Sequence, residues 1–172
     1  MKTVKMEKPI LKVSNLSVAT HLKETKKFLL KKVNLAVNRG DIFGLIGETG
    51  SGKSMLGWSL INLLPKGCFL TDGSVVFGDK NISQVKNLRG KKISMIFQDP
   101  MHALNPTQTI GKQMKTILTK WHFDGDVSVE DKIFKWINKV QLNSIVDIMD
   151  RYPHQLSGGQ IQRVMIALAM SL

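Results

Sequence analysis

Residues 47–54 read Gly-Glu-Thr-Gly-Ser-Gly-Lys-Ser, and this octapeptide decides the fold. It fits G-x-x-x-x-G-K-[ST], a loop whose glycines let consecutive backbone N–H groups turn inward on phosphate oxygens. The helix that follows presents its positive N-terminal end to the same anion. Lys53 then brings a point charge to the β- and γ-phosphates, and the Ser54 hydroxyl is a ligand for Mg²⁺. The pattern requires a strand before it and a helix after it. Both are legible. Residues 41–46 (DIFGLI) form a short apolar run that flows into the loop. Residues 54–64 are apolar on nearly every side, as in a buried helix, and Pro65 and Gly67 close it. The candidate phosphate-binding residues are Gly47, Glu48, Thr49, Gly50, Ser51, Gly52, Lys53 and Ser54, and the ligand they imply is a nucleoside triphosphate.

On either side of this unit the pattern is strands first and helices later. Residues 10–18 and 33–37 alternate as strands, with a turn at Asn38-Arg39-Gly40-Asp41. Residues 74–77 (SVVF) and 93–97 (ISMIF) read as two more. From Pro100 the spacing becomes helical, over 110–121, over 127–142 and briefly over 143–150. Ser128 is placed to cap the second of these helices, with Glu130 and Asp131 in its first turn, where acidic groups suit the helix dipole. A last helix starts after Ser157 and runs towards Leu172. The order predicts an α/β chain with an inserted helical subdomain.

Composition narrows the function class. Of 172 residues, 42% are apolar and 22% charged, which excludes a disordered tail or a collagen-like chain. One cysteine, Cys68, excludes an internal disulfide and a cysteine-based zinc site. No apolar run reaches the ~18–20 residues that span a bilayer, and the basic start MKTVKMEKPI has no apolar signal core, so a soluble, cytosolic chain is expected. The formal charge of +12 invites a nucleic-acid reading. Much of the excess, however, lies in Lys2, Lys5, Lys8, Lys12, Lys23, Lys26, Lys27, Lys31 and Lys32, interleaved with Val, Leu and Ile as on the wet face of a sheet. With no RNP-type aromatic pair, zinc-finger spacing or basic recognition helix, the sequence argues against nucleic acid as a partner.

A second motif separates the classes that a phosphate loop leaves open. Residues 156–160 read Leu-Ser-Gly-Gly-Gln, in which Ser157 is a good N-cap and Gly158 and Gly159 let an anion approach bare backbone at another helix N-terminus. With this motif the chain resembles the ATP-binding-cassette (ABC) ATPases. Residues 47–54 are similar to their Walker A motif, Leu156, Ser157, Gly158, Gly159 and Gln160 to their signature, and Gln98 in Ile96-Phe97-Gln98-Asp99-Pro100 to their Q-loop glutamine. About a hundred residues separate Lys53 from Ser157, which leaves no room for the long coiled coil of the chromosome-maintenance and repair relatives. Ala103-Leu104-Asn105-Pro106 after the Q-loop, with Arg151-Tyr152-Pro153-His154-Gln155 and Gln162-Arg163-Val164-Met165 around the signature, resembles the peptide/nickel importer subfamily. His102 and His154 are motif neighbours there rather than metal ligands.

The resemblance implies a P-loop NTPase (RecA-like) core with an antiparallel β subdomain and an inserted helical subdomain, incomplete at the C-terminus. Residues 1–99 would form the nucleotide-binding core with the β subdomain, 100–157 the helical subdomain, and 158–172 the start of the returning core helix. It implies ATP and Mg²⁺ as cofactors, with Ser54 and Gln98 on the metal, and Gln98 linking that metal to the permease contact. Ser157, Gly158 and Gly159 would close on the γ-phosphate held by the opposite subunit. The implied partners are a second ATPase subunit, identical or similar, two membrane permeases and an extracytoplasmic binding protein, at the cytoplasmic face of the membrane. The implied work is ATP hydrolysis coupled to uptake of peptides or nickel-type substrates. Two departures stand out. The family stacks adenine on a ring just after the first strand, where this chain reads Ala19-Thr20-His21, and His21 and Phe28 are the rings at hand. The chain also ends at Leu172, before the family's Walker B Asp and Glu, D-loop and switch His, so no catalytic residue is assigned within it and a truncated subunit is expected. A non-catalytic nucleotide-binding fragment and a nucleic-acid-linked cassette ATPase are the alternatives.

Overall fold

The computed structural model describes residues 8–22, 25–120 and 128–172. The chain divides into two compact units, Met1–Leu88 and Arg89–Leu172.

The first unit is built on an antiparallel sheet. Strands β1 (Leu11–Leu22) and β2 (Thr25–Val37) pair as a long hairpin. Helix α1 (Lys53–Leu60) comes next, then β3 (Cys68–Phe77) and the short β4 (Lys80–Asn81), giving the spatial order β2-β1-β3-β4. Val13, Leu16, Val18 and Leu30 are buried in this unit with Leu56 of α1 and Val75 of β3. Both strands of the hairpin extend well beyond the short alternating runs 10–18 and 33–37, because each lysine-rich stretch finds a hydrogen-bonded partner across the ladder.

The β1 ladder is interrupted by bulges, and one of them depends on a glycine. Asn15 has φ 49° and Gly73, on the facing strand, φ 84°. A Cβ on Gly73 would lie 2.4 Å from the Asn15 carbonyl carbon and oxygen, a distance no side chain tolerates. The Asn15 N–H, turned out of the regular ladder, donates to Asn34 Oδ1 at 2.9 Å.

The second unit is helical: α2 (Ile110–Lys120), α3 (Val129–Lys139) and α4 (Gly158–Met170). Ile110, Met114 and Leu118 recur every four residues along one face of α2, and Ile133 and Ile137 do the same on α3. They meet Ile161, Val164 and Leu168 of α4 in one buried cluster. Ser128 caps α3 as its position predicts, its side chain accepting from Asp131 N–H. Trp121 and Val127, at the ends of the expected helices, lie outside the described residues.

Four sequence expectations fail. Residues 41–46 form no strand, and Ile42 and Ile46 are fully solvent-exposed at 102% and 97%. An apolar run becomes a strand only where a neighbour takes its backbone hydrogen bonds, and none of the described residues pairs with it. Residues 93–97 behave alike: Ile93 makes one parallel bridge with Arg89, and Ile96 is exposed. Residues 143–150 form turns rather than a helix, with Asp147 at φ 54°, although Ile148 is still buried. Helix α1 also stops at Leu60, short of residue 64, where Asn62 turns left-handed at φ 52°.

Gly73→Ala is expected to destabilise the first unit by about 2 kcal/mol or more in urea melts. Gly78→Ala, at φ 61° with open space around it, is expected to cost only about 1 kcal/mol. Equal costs at the two sites would contradict the close approach to Asn15.

Candidate functional site

Gly47–Ser54 lie in the first unit, running from the exposed run 41–46 into α1, whose first residues are Lys53 and Ser54. Gly52 is the N-cap of α1, with φ 94°, a left-handed conformation that admits glycine far more readily than any other residue. It also packs closely, since a Cβ there would meet Leu30 Cδ2 at 2.8 Å and the Leu29 carbonyl oxygen at 3.0 Å. The loop is thus seated on β2. Nothing in the sequence pointed to Leu29 and Leu30, because the motif fixes local spacing and carries no signal for its tertiary support.

The N-cap Gly52 has no side chain to cap α1, and the first-turn N–H groups of a helix have no partner within the helix itself, which suits them to an anion. Gly50 is also left-handed, at φ 85°, and the Ser51 N–H donates to the Glu48 carbonyl at 3.2 Å, which closes the turn. The Lys53 ammonium curls back over the loop, donating to the Gly47 and Glu48 carbonyls at 2.6 Å each and to Ser51 Oγ at 3.4 Å. Lysine, loop amides and helix N-terminus therefore converge on one small region, the arrangement that holds a phosphate chain. The Ser54 side chain is exposed beside it. A single hard hydroxyl oxygen suits Mg²⁺, which keeps most of its waters and takes the rest of its shell from phosphate oxygens. Ser54 therefore fits that ion.

Gln98 and residues 156–160 lie in the second unit. Gln98 is exposed, and it follows Phe97, which packs against the helical core. Asp99 caps the next turn, its Oδ1 accepting from Met101 N–H at 3.1 Å. Beyond it, buried Gln113 of α2 pins the Asn105 loop. Its Nε2 donates to the Asn105 and Gln108 carbonyls at 3.0 and 2.9 Å, and its Oε1 accepts from Asn105 N–H at 2.8 Å. At the signature, Leu156 is buried and Ser157 begins α4 with a capping box. The Gln160 N–H donates to Ser157 Oγ at 3.4 Å, and the Ser157 N–H donates to Gln160 Oε1 at 2.8 Å. A Cβ on Gly158 or Gly159 would meet nothing within 4 Å, so both leave bare backbone open at the helix start. Upstream, the Ile110 and Gly111 N–H groups donate to the Arg151 and Met149 carbonyls, both at 2.8 Å, fastening the approach to the signature onto α2.

A left-handed glycine loop at the foot of a helix, closed over by its own lysine, defines a P-loop nucleotide-binding protein. The ABC transporter family model matches residues 30–172, and the chain belongs to that family. It is 37% identical over 172 residues to the probable D,D-dipeptide transport ATP-binding protein DdpD of Escherichia coli, covering 96% of this chain and 52% of that protein. It is 32% identical over 167 residues to the oligopeptide transport ATP-binding protein OppD of Lactococcus lactis, covering 94% of this chain and 49% of that one. The fold is similar to the dimeric structure of MJ0796, a bacterial ABC transporter cassette, with a TM-score of 0.77 at 26% identity, over 94% of this chain and 69% of that one. The chain spans about half the length of these curated relatives. Among the described residues, no helix is long and apolar enough to cross a membrane.

Gly52→Ala is expected to push the loop off Leu30 and to weaken Mg·ATP binding at least tenfold by isothermal titration. Gly44→Ala, with open space and no left-handed φ, is expected to leave binding unchanged. At the signature, Ser157→Ala is expected to lower stability by about 1 kcal/mol in denaturant melts, the usual cost of losing an N-cap. No loss there would contradict the capping box.

Proposed function

We propose that this chain is the ATP-binding part of a peptide importer, acting as a peripheral subunit at the cytoplasmic face of the membrane. The seated loop at Gly47–Ser54 is the observation that carries the reading, and the peptide-transport names of its relatives support the substrate class. Peptides, rather than nickel, are the class proposed. The partners proposed are a second ATPase subunit, identical or similar, two permeases, and an extracytoplasmic binding protein that delivers the peptide.

The loop amides of residues 50–54 and the first turn of α1 hold the phosphate chain, and Lys53 leaves its carbonyl partners to meet the β- and γ-phosphates. Ser54 is the proposed Mg²⁺ ligand of this unit, and the ion, when bound, would neutralise phosphate charge. Gly158 and Gly159, bare at the start of α4, are proposed to meet the γ-phosphate of nucleotide held by the opposite subunit. Binding on this scheme is positioning plus electrostatics.

A second reading, a nucleotide-binding module without turnover, is favoured by one observation. Within Gly47–Ser54 the only carboxylate is Glu48, which is exposed and whose side chain has no hydrogen-bond partner among the described residues, so the loop itself offers no positioned base for water. The 172-residue chain is expected to bind Mg·ATP, to lose that binding in Lys53→Ala, and to release phosphate no faster than this variant. Equal ATP binding by Lys53→Ala would contradict the site. Release above that blank would show that a group within these residues activates water.

A further inference from the structure

We infer that the triphosphate site of this chain is indifferent to the nucleobase, holding ATP, GTP and bare tripolyphosphate with closely similar affinity. The inference rests on the reading of Gly47–Ser54 as a triphosphate loop, and it comes from how the sheet sorts its side chains. Gly52 brings the loop against the Leu30 side of the sheet. Gly52 packs on Leu30, Leu30 pairs with Val18, and Val18 with Leu70. From Val18↔Leu70 to Thr20↔Cys68 the β1–β3 ladder runs without a shift, and from Ala19↔Phe28 to His21↔Lys26 so does the β1–β2 ladder.

Directly opposed residues share a face, and successive residues alternate. Thr20, Lys27, Cys68 and Leu70 therefore continue the face on which the loop sits. Ala19, His21, Lys26, Phe28 and Phe69 belong to the opposite one. The rings agree with this sorting. His21 stacks on Phe69 at 4.8 Å, and Lys26 Nζ lies over both Phe28 and Phe69, at 5.1 and 5.7 Å. His21 of β1 and Phe28 of β2, the rings the sequence offered for the base, thus face away from the loop.

Reading a base takes a ring to stack on, or polar groups free to match its edge. The loop's face offers neither among the described residues. The Thr20 hydroxyl donates to the Gly67 carbonyl at 3.0 Å, and Lys27 is a donor-only cation that attracts phosphate whatever base follows it. Cys68 and Leu70 present no edge to match. Elsewhere in this unit, Phe77 pairs with Leu11 at the far end of the ladder. Trp58 lies five residues into α1, about 7.5 Å along the axis from the phosphate end. Phe43 lies in the exposed run before the loop. Residues 1–7, 23 and 24 include no aromatic residue.

The test is isothermal titration of the 172-residue chain with Mg·ATP, Mg·GTP and Mg·tripolyphosphate, with Lys53→Ala as the blank. The three dissociation constants are expected to agree within about threefold and all binding to vanish in the blank. ATP binding tenfold or more tighter than both other ligands overturns base indifference while leaving the loop in place. Failure of all three to bind, or equal binding by Lys53→Ala, overturns the loop reading beneath it. A folded Thr20→Tyr, which adds a ring on the loop's face, is expected to strengthen ATP and GTP relative to tripolyphosphate by about fivefold or more. No such gain overturns the assignment of that face. Phe28→Ala and Phe43→Ala are expected to leave the ATP-to-tripolyphosphate ratio unmoved, and a selective loss of ATP in either overturns the inference.

Discussion

The contact between Gly52 and β2 is the constraint on which the first unit depends. A left-handed residue at the foot of α1, pressed to 2.8 Å from Leu30 Cδ2 once a Cβ is imagined, must be glycine. That one contact fixes where the loop stands on the sheet, which way α1 leaves it, and which face of the sheet the loop covers. Lys53 then donates to the carbonyls of Gly47 and Glu48 and to Ser51 Oγ, and its charge waits inside the loop.

The parts of the molecule legible in the sequence are those whose cause is local. The glycine spacing of residues 47–54, the caps at Ser128 and Ser157, and the four-residue apolar repeat of α2 are each set by the residues themselves, and the structure has all three. The capping box that joins Ser157 to Gln160 was half legible, since the serine announces itself and the glutamine's return to the Ser157 N–H does not. The failed strands have a non-local cause. An apolar run such as DIFGLI carries the composition of a buried strand, but it becomes one only through a neighbour's hydrogen bonds, and residues 41–46 stand exposed. The turns over 143–150 lost their helix to a left-handed Asp147, a conformation that Asp tolerates but that its presence does not announce.

The lysine-rich hairpin shows the same division. Alternation predicted a sheet with its lysines on one wet face; β1 and β2 do pair, but Lys26 and Lys27 fall on opposite faces and Leu16–Ala19 are buried on both. That the rings of Phe28 and Phe69 share a face with Lys26 could not be read from sequence positions 41 residues apart. Nor could their turning away from the loop, which follows from a bulge that shifts β2 by one residue between Leu30 and Phe28. Alongside Val18 and Thr20, the face on which the loop sits carries no ring among the described residues.

The central claim, that the backbone of Gly50–Ser54 grips a triphosphate, is tested most directly by amide chemical shifts of the ¹⁵N-labelled chain during titration with Mg·ATP. The account predicts that the largest movements are those of the Gly50, Ser51, Gly52, Lys53 and Ser54 amides, because these N–H groups exchange water for phosphate oxygen. Saturable ATP binding that leaves those five amides unmoved would contradict it.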